Sequence, residues 1–292
     1  MEKIDAIGGF INVLKPTGMT SSNVVVAVKK TLGLKKVGHL GTLDPAASGV
    51  LPIAFGKATK FFDYFLKKDK QYVAVVQFGI ETDTLDSFGN ITNKNNKIVT
   101  KTELNDILKL FTGKIKQVPP KYSAIKINGA KAYELARSGL DVTLEPHDIE
   151  IYSIKLMDEL SENRFRFCVN CSAGTYIRTL FDDIAKKLGT HATTTVIIRT
   201  KSGCFCIDDA ITLEELKANP KFIMVDEALN DLKKYEITDE SVLKKILNGV
   251  KLTKNELNLE TQTDKFFIEN NGKIIGLYHF EENRLICDVF LH

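Results

Sequence analysis

The sequence predicts an α+β fold with a largely antiparallel mixed sheet and a second, smaller domain. Strand-like and helix-like segments are mixed along the chain without regular βαβ alternation, which argues against a parallel, doubly wound sheet. A length of 292 residues exceeds what one average core supports. After Pro220 the pattern restarts with a helix and several short strands. We therefore expect one large domain followed by a small β-rich one.

Five elements are expected before residue 80. Runs of β-branched and aromatic residues indicate strands, and apolar residues recurring every three or four positions indicate helices. The first helix has a hydroxyl side chain at its start and Gly33 at its end, both of which are common helix caps. The expected elements are strand 10–14, helix 20–32, strand 50–55, helix 58–66 and strand 72–78.

The middle of the chain carries clear turn and cap signals. Thr100 and Glu103 form a capping-box pattern, which predicts a helix that Gly113 closes. The other expected elements are a tight turn at Asn128-Gly129, helix 130–137 stopped by Gly139, antiparallel strands 149–157 and 165–171 joined through 161–163, and helix 175–188 ended by Gly189.

These signals divide the chain at about residue 222. Residues 1–222 are expected to form the large domain and residues 223–292 the small one. The segment of about 113–146, bracketed by paired prolines and the Asn-Gly turn, is the best candidate for an insertion. In the small domain we expect helix 239–247 and strands 266–268, 273–280 and 284–290.

The composition predicts a soluble globular protein of the cytoplasm. A hydrophobic fraction of 43% with 26% charged residues is unlike a disordered chain. The apolar runs are too short to cross a bilayer, and the N-terminus lacks a signal-peptide pattern. No long apolar seam suggests a partner subunit, so we expect a monomer.

Charge is distributed unevenly along the chain. The net charge is only +3, but residues 29–70 carry nine lysines against three aspartates. Residues 226–292 carry 13 acidic and nine basic side chains. A lysine-rich segment suits contact with a phosphate backbone, although a solvated helix face explains lysines equally well. The nine lysines are Lys29, Lys30, Lys35, Lys36, Lys57, Lys60, Lys67, Lys68 and Lys70.

Five cysteines invite a zinc interpretation, which strand geometry argues against. Cys168 and Cys171 are separated by two residues, as zinc ligands often are. However, residues 164–171 alternate as a strand, so these two thiols point to opposite faces and cannot share one ion. Reduced structural thiols in a reducing compartment are the favoured interpretation.

Residues 38–52 place a single carboxylate, Asp44, in a loop with three glycines and two prolines. A loop held by such residues can position a catalytic group rigidly. Taken alone, the run favours a structural interpretation, because Asp-Pro is an ordinary turn dipeptide.

Several ordered blocks change that interpretation. They are residues 13–22 (VLKPTGMTSS), 38–45 (GHLGTLDP), 49–60 (GVLPIAFGKATK), 69–72 (DKQY), 79–89, 119–126 and 174–179 (GTYIRT). Together they resemble the bacterial TruB family, the tRNA pseudouridine-55 synthases. The resemblance is strong to about Phe205 and weak beyond it. Several blocks in order are far more specific than any one motif.

The resemblance implies a pseudouridine synthase fold with a central RNA-binding cleft, insertions that grip RNA and a small PUA-like C-terminal domain. It also implies the reaction: uridine 55 in the T loop of tRNA is extruded and isomerised to pseudouridine. The N-glycosidic bond breaks and C5 joins the same ribose. Because no redox or phosphoryl transfer occurs, we expect neither a metal nor a nucleotide cofactor.

The resemblance assigns catalytic roles to three residues. Asp44 matches the essential aspartate, whose attack on C1′, attack on C6 or deprotonation of the sugar all stay open. Tyr72 matches the tyrosine that stacks on the flipped base, and Arg178 the arginine that pairs with the aspartate. From sequence alone, a tyrosine in a strand such as Tyr72 is usually a core residue, and an arginine at a helix start such as Arg178 usually faces solvent.

Four further residues are assigned to substrate binding. His39 corresponds to a residue that holds the extruded nucleotides in the cleft, and Tyr176 and Ile197 to pocket walls. Lys15 is included because it fixes the neighbour of the loop, without chemistry of its own. Ile198 stands where the family usually has an arginine beside Arg199, which removes one phosphate or structural contact.

Three other functions stay open at this point. A glycosidase needs a second carboxylate facing Asp44, and Asp83, Asp86 and Asp182 are available. A non-catalytic RNA chaperone needs the lysines and not Asp44. A pseudouridine synthase with another RNA target shares every catalytic residue.

Overall fold

The structure, a computed structural model, describes residues 8–123, 125–127, 129–132, 135, 138, 144–257, 259 and 265–291. Its strands are β1 (Gly9–Lys15), β2 (Val37–His39), β3 (Ser48–Phe55), β4 (Lys70–Phe78), β5 (Ile80–Thr82), β6 (Ile91–Lys94), β7 (Gly113–Gln117), β8 (Lys126–Ile127), β9 (Ala130–Lys131), β10 (His147–Ser161), β11 (Arg164–Cys171), β12 (Ala192–Ser202), β13 (Phe205–Cys206), β14 (Lys233–Glu236), β15 (Phe266–Asn270), β16 (Lys273–Glu281) and β17 (Arg284–Phe290). Its α-helices are α1 (Ser21–Leu32), α2 (Phe62–Leu66), α3 (Lys101–Leu108), α4 (Ile177–Lys187), α5 (Leu213–Ala218), α6 (Val225–Ala228), α7 (Glu240–Leu247) and α8 (Lys254–Leu257).

The central sheet confirms the predicted largely antiparallel, mixed arrangement. Its strands follow the order β1-β3-β12-β4-β11-β10-β7, with β2 added to β3 and β13 to β12. Neighbouring strands on this path are antiparallel except β3 and β12, which are parallel. This order brings the loop before β3 next to β12 and β4, although those strands lie far away in sequence.

One face of the sheet packs against helices and forms the main core. Tyr72, Ala74 and Val76 alternate along β4 and all face this core. From β11, the Phe167 ring contacts Phe181 of α4 with ring centroids 4.7 Å apart. The helix that carries Arg178 is therefore fixed against the centre of the sheet.

The C-terminal strands form a separate four-stranded sheet in the order β14-β15-β16-β17. It packs over the opposite face of β1 and β3 through an aromatic cluster in which the Phe61 ring lies between Phe10 and Phe267, at 6.4 Å from each. The expected β-rich C-terminal region is confirmed.

Most predicted elements are confirmed, and three boundaries are wrong. Predicted helix 58–66 is a 3-10 turn (Gly56–Phe61) continued by α2. The helix opened by Thr100 ends at Leu108, and Gly113 begins β7 instead of closing it. Residues 130–131 pair with 126–127 as a hairpin instead of starting helix 130–137. In each case tertiary pairing or packing overrides the helix propensity of the local sequence.

The predicted segment 113–146 begins inside the sheet. Its first five residues are β7, whose pairing with β10 makes it the edge strand. The part of the predicted insertion that lies outside the central sheet therefore follows Gln117. Asn128, Gly139 and much of the predicted helix 130–137 lie outside the described residues.

The cysteines of β11 lie as the alternation predicts. Cys171 is buried on the face that carries Phe165 and Phe167, and Cys168 lies on the other face. Among the described residues, no group of three or more His, Cys, Asp or Glu is placed to hold a metal ion. Within the same residues, no helix is both long and apolar enough to cross a membrane.

Gly49 is required where β3 meets β12. Its φ is +109°, and a Cβ there would lie 2.3 Å from the Arg199 carbonyl oxygen. We expect Gly49→Ala to destabilise the fold by about 2 kcal/mol or more, because both strain and overlap oppose it. Urea unfolding measures this.

Gly189 provides the matched control. Its φ is also positive, at +69°, but a Cβ there meets no atom within 4 Å. Gly189→Ala should therefore cost only about 1 kcal/mol, the price of the left-handed conformation alone. Equal losses in the two variants would show that the contact with β12 does not matter.

Candidate active site

A cavity of about 410 Å³ lies where loop 41–47 meets β4, β12 and the start of α4. Phe62 and Leu66 of α2 add apolar side chains to its rim. Five of the seven predicted site residues line it: Asp44, Tyr72, Tyr176, Arg178 and Ile197. Lys15 and His39 are not among the described residues that line it.

The Asp44 loop is fastened to the first helix and to the segment before it. Ser21, the first residue of α1, both donates to the Leu43 carbonyl at 2.9 Å and accepts from the Leu43 N–H at 2.8 Å. On the other side of Asp44, the Pro45 carbonyl accepts from the Gly18 N–H at 2.8 Å. The backbone on both sides of the carboxylate is therefore held in place.

Lys15 holds the same loop at Ala47 through a buried hydrogen bond. Its side chain is fully buried, and the ammonium donates to the Ala47 carbonyl at 2.6 Å and to the Pro16 carbonyl at 2.9 Å. Burial lowers the pKa of Lys15 to about 8, while the nearby Asp44 carboxylate acts in the opposite direction. An ammonium enclosed in this way positions the loop.

Arg178 forms the central ion pair of the cavity. Its Nη2 lies 2.7 Å from Asp44 Oδ2, and its side chain is only 3% exposed, whereas that of Asp44 is 35% exposed. The guanidinium also donates to the carbonyls of Thr84 and Tyr122, at 2.8 and 2.9 Å. The arginine is thus fixed from behind, and the carboxylate stays open to the cavity.

Asp86 supplies a second, more distant carboxylate to Arg178. Its Oδ2 lies 3.8 Å from Nη1 of Arg178, and its Oδ1 accepts from the Thr84 hydroxyl at 2.7 Å and the Phe88 N–H at 3.0 Å. The side chain is buried and does not line the cavity among the described residues. Asp86 therefore holds Arg178 in place.

Arg199 also lines the cavity, although the sequence analysis did not assign it to the site. It is 1% exposed and donates to three carbonyls, those of Val50 at 2.8 Å, Thr42 at 3.2 Å and Gly41 at 3.1 Å. These bonds tie β12 to the Asp44 loop. The sequence shows Arg199 beside an isoleucine where the family usually has a second arginine, but it does not indicate that Arg199 is buried.

Tyr72 lies beside Arg199 on the floor of the cavity. Burial raises the pKa of Tyr72, and the Arg199 guanidinium opposes that rise. Tyr72 is therefore a neutral phenol near pH 7, suited to stacking and hydrogen bonding. Ile197, 7% exposed, adds an apolar wall from the neighbouring strand.

Tyr176 also lines the cavity and is the N-cap residue that precedes α4. Burial raises the pKa of its phenol, and the charge of Asp44 adds to the rise. Its ring meets that of His147 edge-on, with centroids 6.1 Å apart. Its backbone is held by the side chain of Gln117, a contact that the sequence did not indicate.

His39 ends β2, at the start of the loop. Burial and the Arg199 charge lower the pKa of His39, so the imidazole is neutral near pH 7. Its Nδ1 is buried and has no hydrogen-bond partner among the described residues. His39 shortly precedes the cavity-lining residues Gly41 and Thr42 in the chain. It is not itself among the described residues that line the cavity.

The lysine-rich segment is only partly available to a polyanion. Lys70 is buried and donates to the carbonyls of Phe65 and Leu66, and burial lowers the pKa of Lys70 to about 8. Lys57 and Lys60 bond to the carbonyls of the C-terminal strand end. These three lysines are bonded within the protein, whereas Lys29, Lys30 and Lys67 extend into solvent; Lys60 is also exposed.

The cavity chemistry suits a nucleoside better than a glycosidase substrate. Asp44 is the only carboxylate among the described residues that line it. Asp83 instead accepts from the Asn90 N–H, and Asp182 pairs with Lys186. A second carboxylate facing Asp44, which general acid and base catalysis of glycoside hydrolysis needs, is not found in this lining.

Sequence comparisons match the chain to one family. The model of the TruB family pseudouridylate synthase N-terminal domain matches residues 29–177. The tRNA pseudouridine synthase B of Caldanaerobacter subterraneus subsp. tengcongensis is 41% identical over 273 residues, covering 93% of this chain and 95% of that protein. The protein of the same name from Clostridium kluyveri is 43% identical over 276 residues, covering 92% and 94%.

Solved structures agree with this match. A chain in the crystal structure of a Cbf5-Nop10-Gar1 complex superposes with a TM-score of 0.74 and 26% identity, covering all 100% of this chain and 87% of that one. A chain in an H/ACA RNP bound to a substrate RNA containing 2′-deoxyuridine gives a TM-score of 0.71 and 26% identity, covering 99% and 86%. The expected pseudouridine synthase fold is confirmed, and the chain belongs to the TruB family of pseudouridylate synthases, which are isomerases.

Proposed function

We propose that this protein converts uridine to pseudouridine in tRNA, at uridine 55 of the T loop. One observation carries the proposal: a buried arginine holds one carboxylate, Asp44, at the opening of a cavity with aromatic and apolar walls. The relatives named tRNA pseudouridine synthase B support tRNA as the substrate.

The reaction is an internal transfer of the ribose. The bond between N1 and C1′ breaks, a bond between C5 and C1′ forms, the C5 proton leaves and N1 gains a proton. A stacked T-loop uridine must first be extruded, at a cost of a few kcal/mol that stacking and backbone contacts offset. In this proposal Tyr72 stacks on the extruded base, Tyr176 and Ile197 enclose it, and Asp44 acts on the nucleoside.

The buried cations position these groups. Arg178 orients Asp44, and Lys15 and Arg199 hold the loop that carries it. Preorganised charges in a site that excludes water are effective because little reorganisation accompanies the reaction. In this proposal His39 contacts the displaced nucleotides at the entrance.

The remainder of the chain contributes RNA contacts. We assign residues 1–222 to catalysis and residues 223–292 to a PUA-like domain that contacts the tRNA. In the segment of about 113–146, the part that follows β7 grips the T arm. The exposed lysines between residues 29 and 67 contact the phosphate backbone, which releases counterions and makes binding salt-dependent.

The experiment that tests this function is pseudouridine mapping on an unmodified tRNA transcript. The purified protein is incubated with the transcript without added metal or nucleotide. Conversion confined to the T-loop uridine supports the proposal. Conversion at another site would overturn the substrate, and RNA binding without any conversion would overturn the reaction.

Asp44→Asn should abolish turnover while RNA binding stays within about twofold, because the amide keeps the shape of the side chain and loses its charge. Single-turnover conversion and filter binding measure the two quantities. Asp63→Asn on the exposed side of α2 is the control and should behave as the wild type. Normal conversion by Asp44→Asn would remove Asp44 from the mechanism.

Arg178→Ala should lower the single-turnover rate by about 10²- to 10³-fold, since Asp44 loses its partner. The matched control is Arg166→Ala, which removes a half-exposed arginine whose Nε lies 3.3 Å from Asp158. If Arg178→Ala leaves the rate intact and only weakens binding at high salt, Arg178 is a phosphate contact and the ion-pair account fails.

The ionisation of Lys15 should appear in the pH dependence of stability. Its pKa is about 8 in the folded protein and 10.5 ordinarily. Between these values the unfolded chain binds more protons than the native state, so Lys15 makes stability rise with pH from about 8 to about 10.5. The slope is limited to about 1.4 kcal/mol per pH unit.

Comparison with Lys15→Met isolates this effect, because Lys70, which has a similar pKa shift, titrates in both proteins. The free energy of unfolding from urea titrations at pH 7.5 and pH 10 is the measurement. The free energy of unfolding of the wild type, minus that of Lys15→Met, should be larger at pH 10 than at pH 7.5. A constant difference would mean that burial does not perturb Lys15.

A further inference from the structure

The side chain of Gln117 is bound to both backbone polar groups of Tyr176. Gln117 ends β7 and is 1% exposed. Its amide nitrogen donates to the Tyr176 carbonyl at 3.0 Å, and its amide oxygen accepts from the Tyr176 N–H at 2.8 Å. This two-point contact fixes both the position and the direction of the Tyr176 backbone.

Tyr176 is the N-cap residue of α4, and no side-chain bond of its own caps the helix. The backbone N–H groups at a helix start have no partner within the helix. Gln117, 59 residues away in sequence, supplies one for the Tyr176 N–H. The Tyr176 carbonyl also accepts the first helical bond, from the Leu180 N–H at 3.0 Å. Gln117 therefore sets where α4 begins.

The catalytic arginine lies two residues after this contact. Arg178 also contacts the segment that follows β7, because its Nη2 donates to the Tyr122 carbonyl. His147, the register partner of Gln117 in β10, lies with Nε2 3.1 Å from the Gly174 carbonyl. The edge strand β7 and its neighbour β10 thus hold the turn that leads into α4.

We propose that Gln117 is a positioning residue for catalysis: it fixes the start of α4 so that the Arg178 guanidinium meets the Asp44 carboxylate. This inference rests on the proposed function of the cavity. Gln117 does not line the cavity among the described residues, so it acts through Tyr176 and Arg178 and not by contact with the RNA.

Gln117→Met tests the proposal, because methionine keeps the length of the side chain and removes both hydrogen bonds. Single-turnover rates are measured by release of tritium from C5-labelled uridine in a T-arm transcript. RNA affinity is measured in the Asp44→Asn background, where no product forms. We expect the rate to fall about tenfold or more, as for small misplacements of catalytic groups, with affinity unchanged within about twofold.

Gln77→Met is the matched control. Gln77 is a part-buried glutamine of β4 whose amide also donates to two carbonyls, those of Phe78 and Asn163, at the end of the strand remote from Tyr72. Its variant should keep the wild-type rate. A similar loss of rate in Gln77→Met would show that general destabilisation, and not the position of α4, lowers activity.

A double-mutant cycle shows whether Gln117 acts through Arg178. In an Arg178→Lys background, adding Gln117→Met should change the single-turnover rate by less than about twofold. The contact between the Arg178 guanidinium and Asp44, which Gln117 is proposed to position, is already absent there. An equal loss in both backgrounds, a loss of affinity alone, or an unchanged rate would overturn the proposal.

Gln117→Glu keeps the proposal testable if Gln117→Met does not fold. The glutamate retains the acceptor for the Tyr176 N–H and loses the donor to its carbonyl, so the rate should fall with affinity unchanged. A wild-type rate in this variant would overturn the inference. Failure of the wild-type protein to convert the T-loop uridine would instead contradict the proposed function.

Discussion

The contact between Arg178 and Asp44 is the interaction on which the rest of the site depends. A guanidinium that is 3% exposed needs its charge and its donors satisfied, and here two carbonyls and two carboxylates do so. Removal of Asp44 leaves the buried guanidinium with only the more distant carboxylate of Asp86. The 35% exposure of Asp44 leaves this carboxylate as the one member of the group that a substrate can reach.

Strand order explains how distant segments meet at this pair. The parallel pairing of β3 with β12 places Arg199 under the Asp44 loop, and the close approach at Gly49 leaves no room for a side chain. The antiparallel pairing of β12 with β4 places Tyr72 beside Arg199. The sheet therefore supplies the floor of the cavity, while the loop and α4 supply the Asp44–Arg178 ion pair.

Sequence patterns predicted the elements better than their contacts. The cap of α1, the alternation of β11 and the motif around Asp44 were readable because each depends on local periodicity or on an ordered block of residues. The burial of Arg199 and Lys15 and the role of Gln117 were not readable, because each bonds to carbonyls or backbone groups far away in the chain. Gly113 was misassigned since a glycine after a helix serves as a cap or as the start of a strand, and only pairing with β10 decides.

The most direct test of the account is a crystal structure of the Asp44→Asn protein bound to an unmodified T-arm RNA, which halts the reaction with the substrate in place. The account predicts that the target uridine is extruded into the cavity, with its base on Tyr72 and its ribose next to residue 44. A uridine that stays stacked in the T loop, or a nucleotide bound elsewhere while the cavity holds none, would contradict the central role of the Arg178–Asp44 pair.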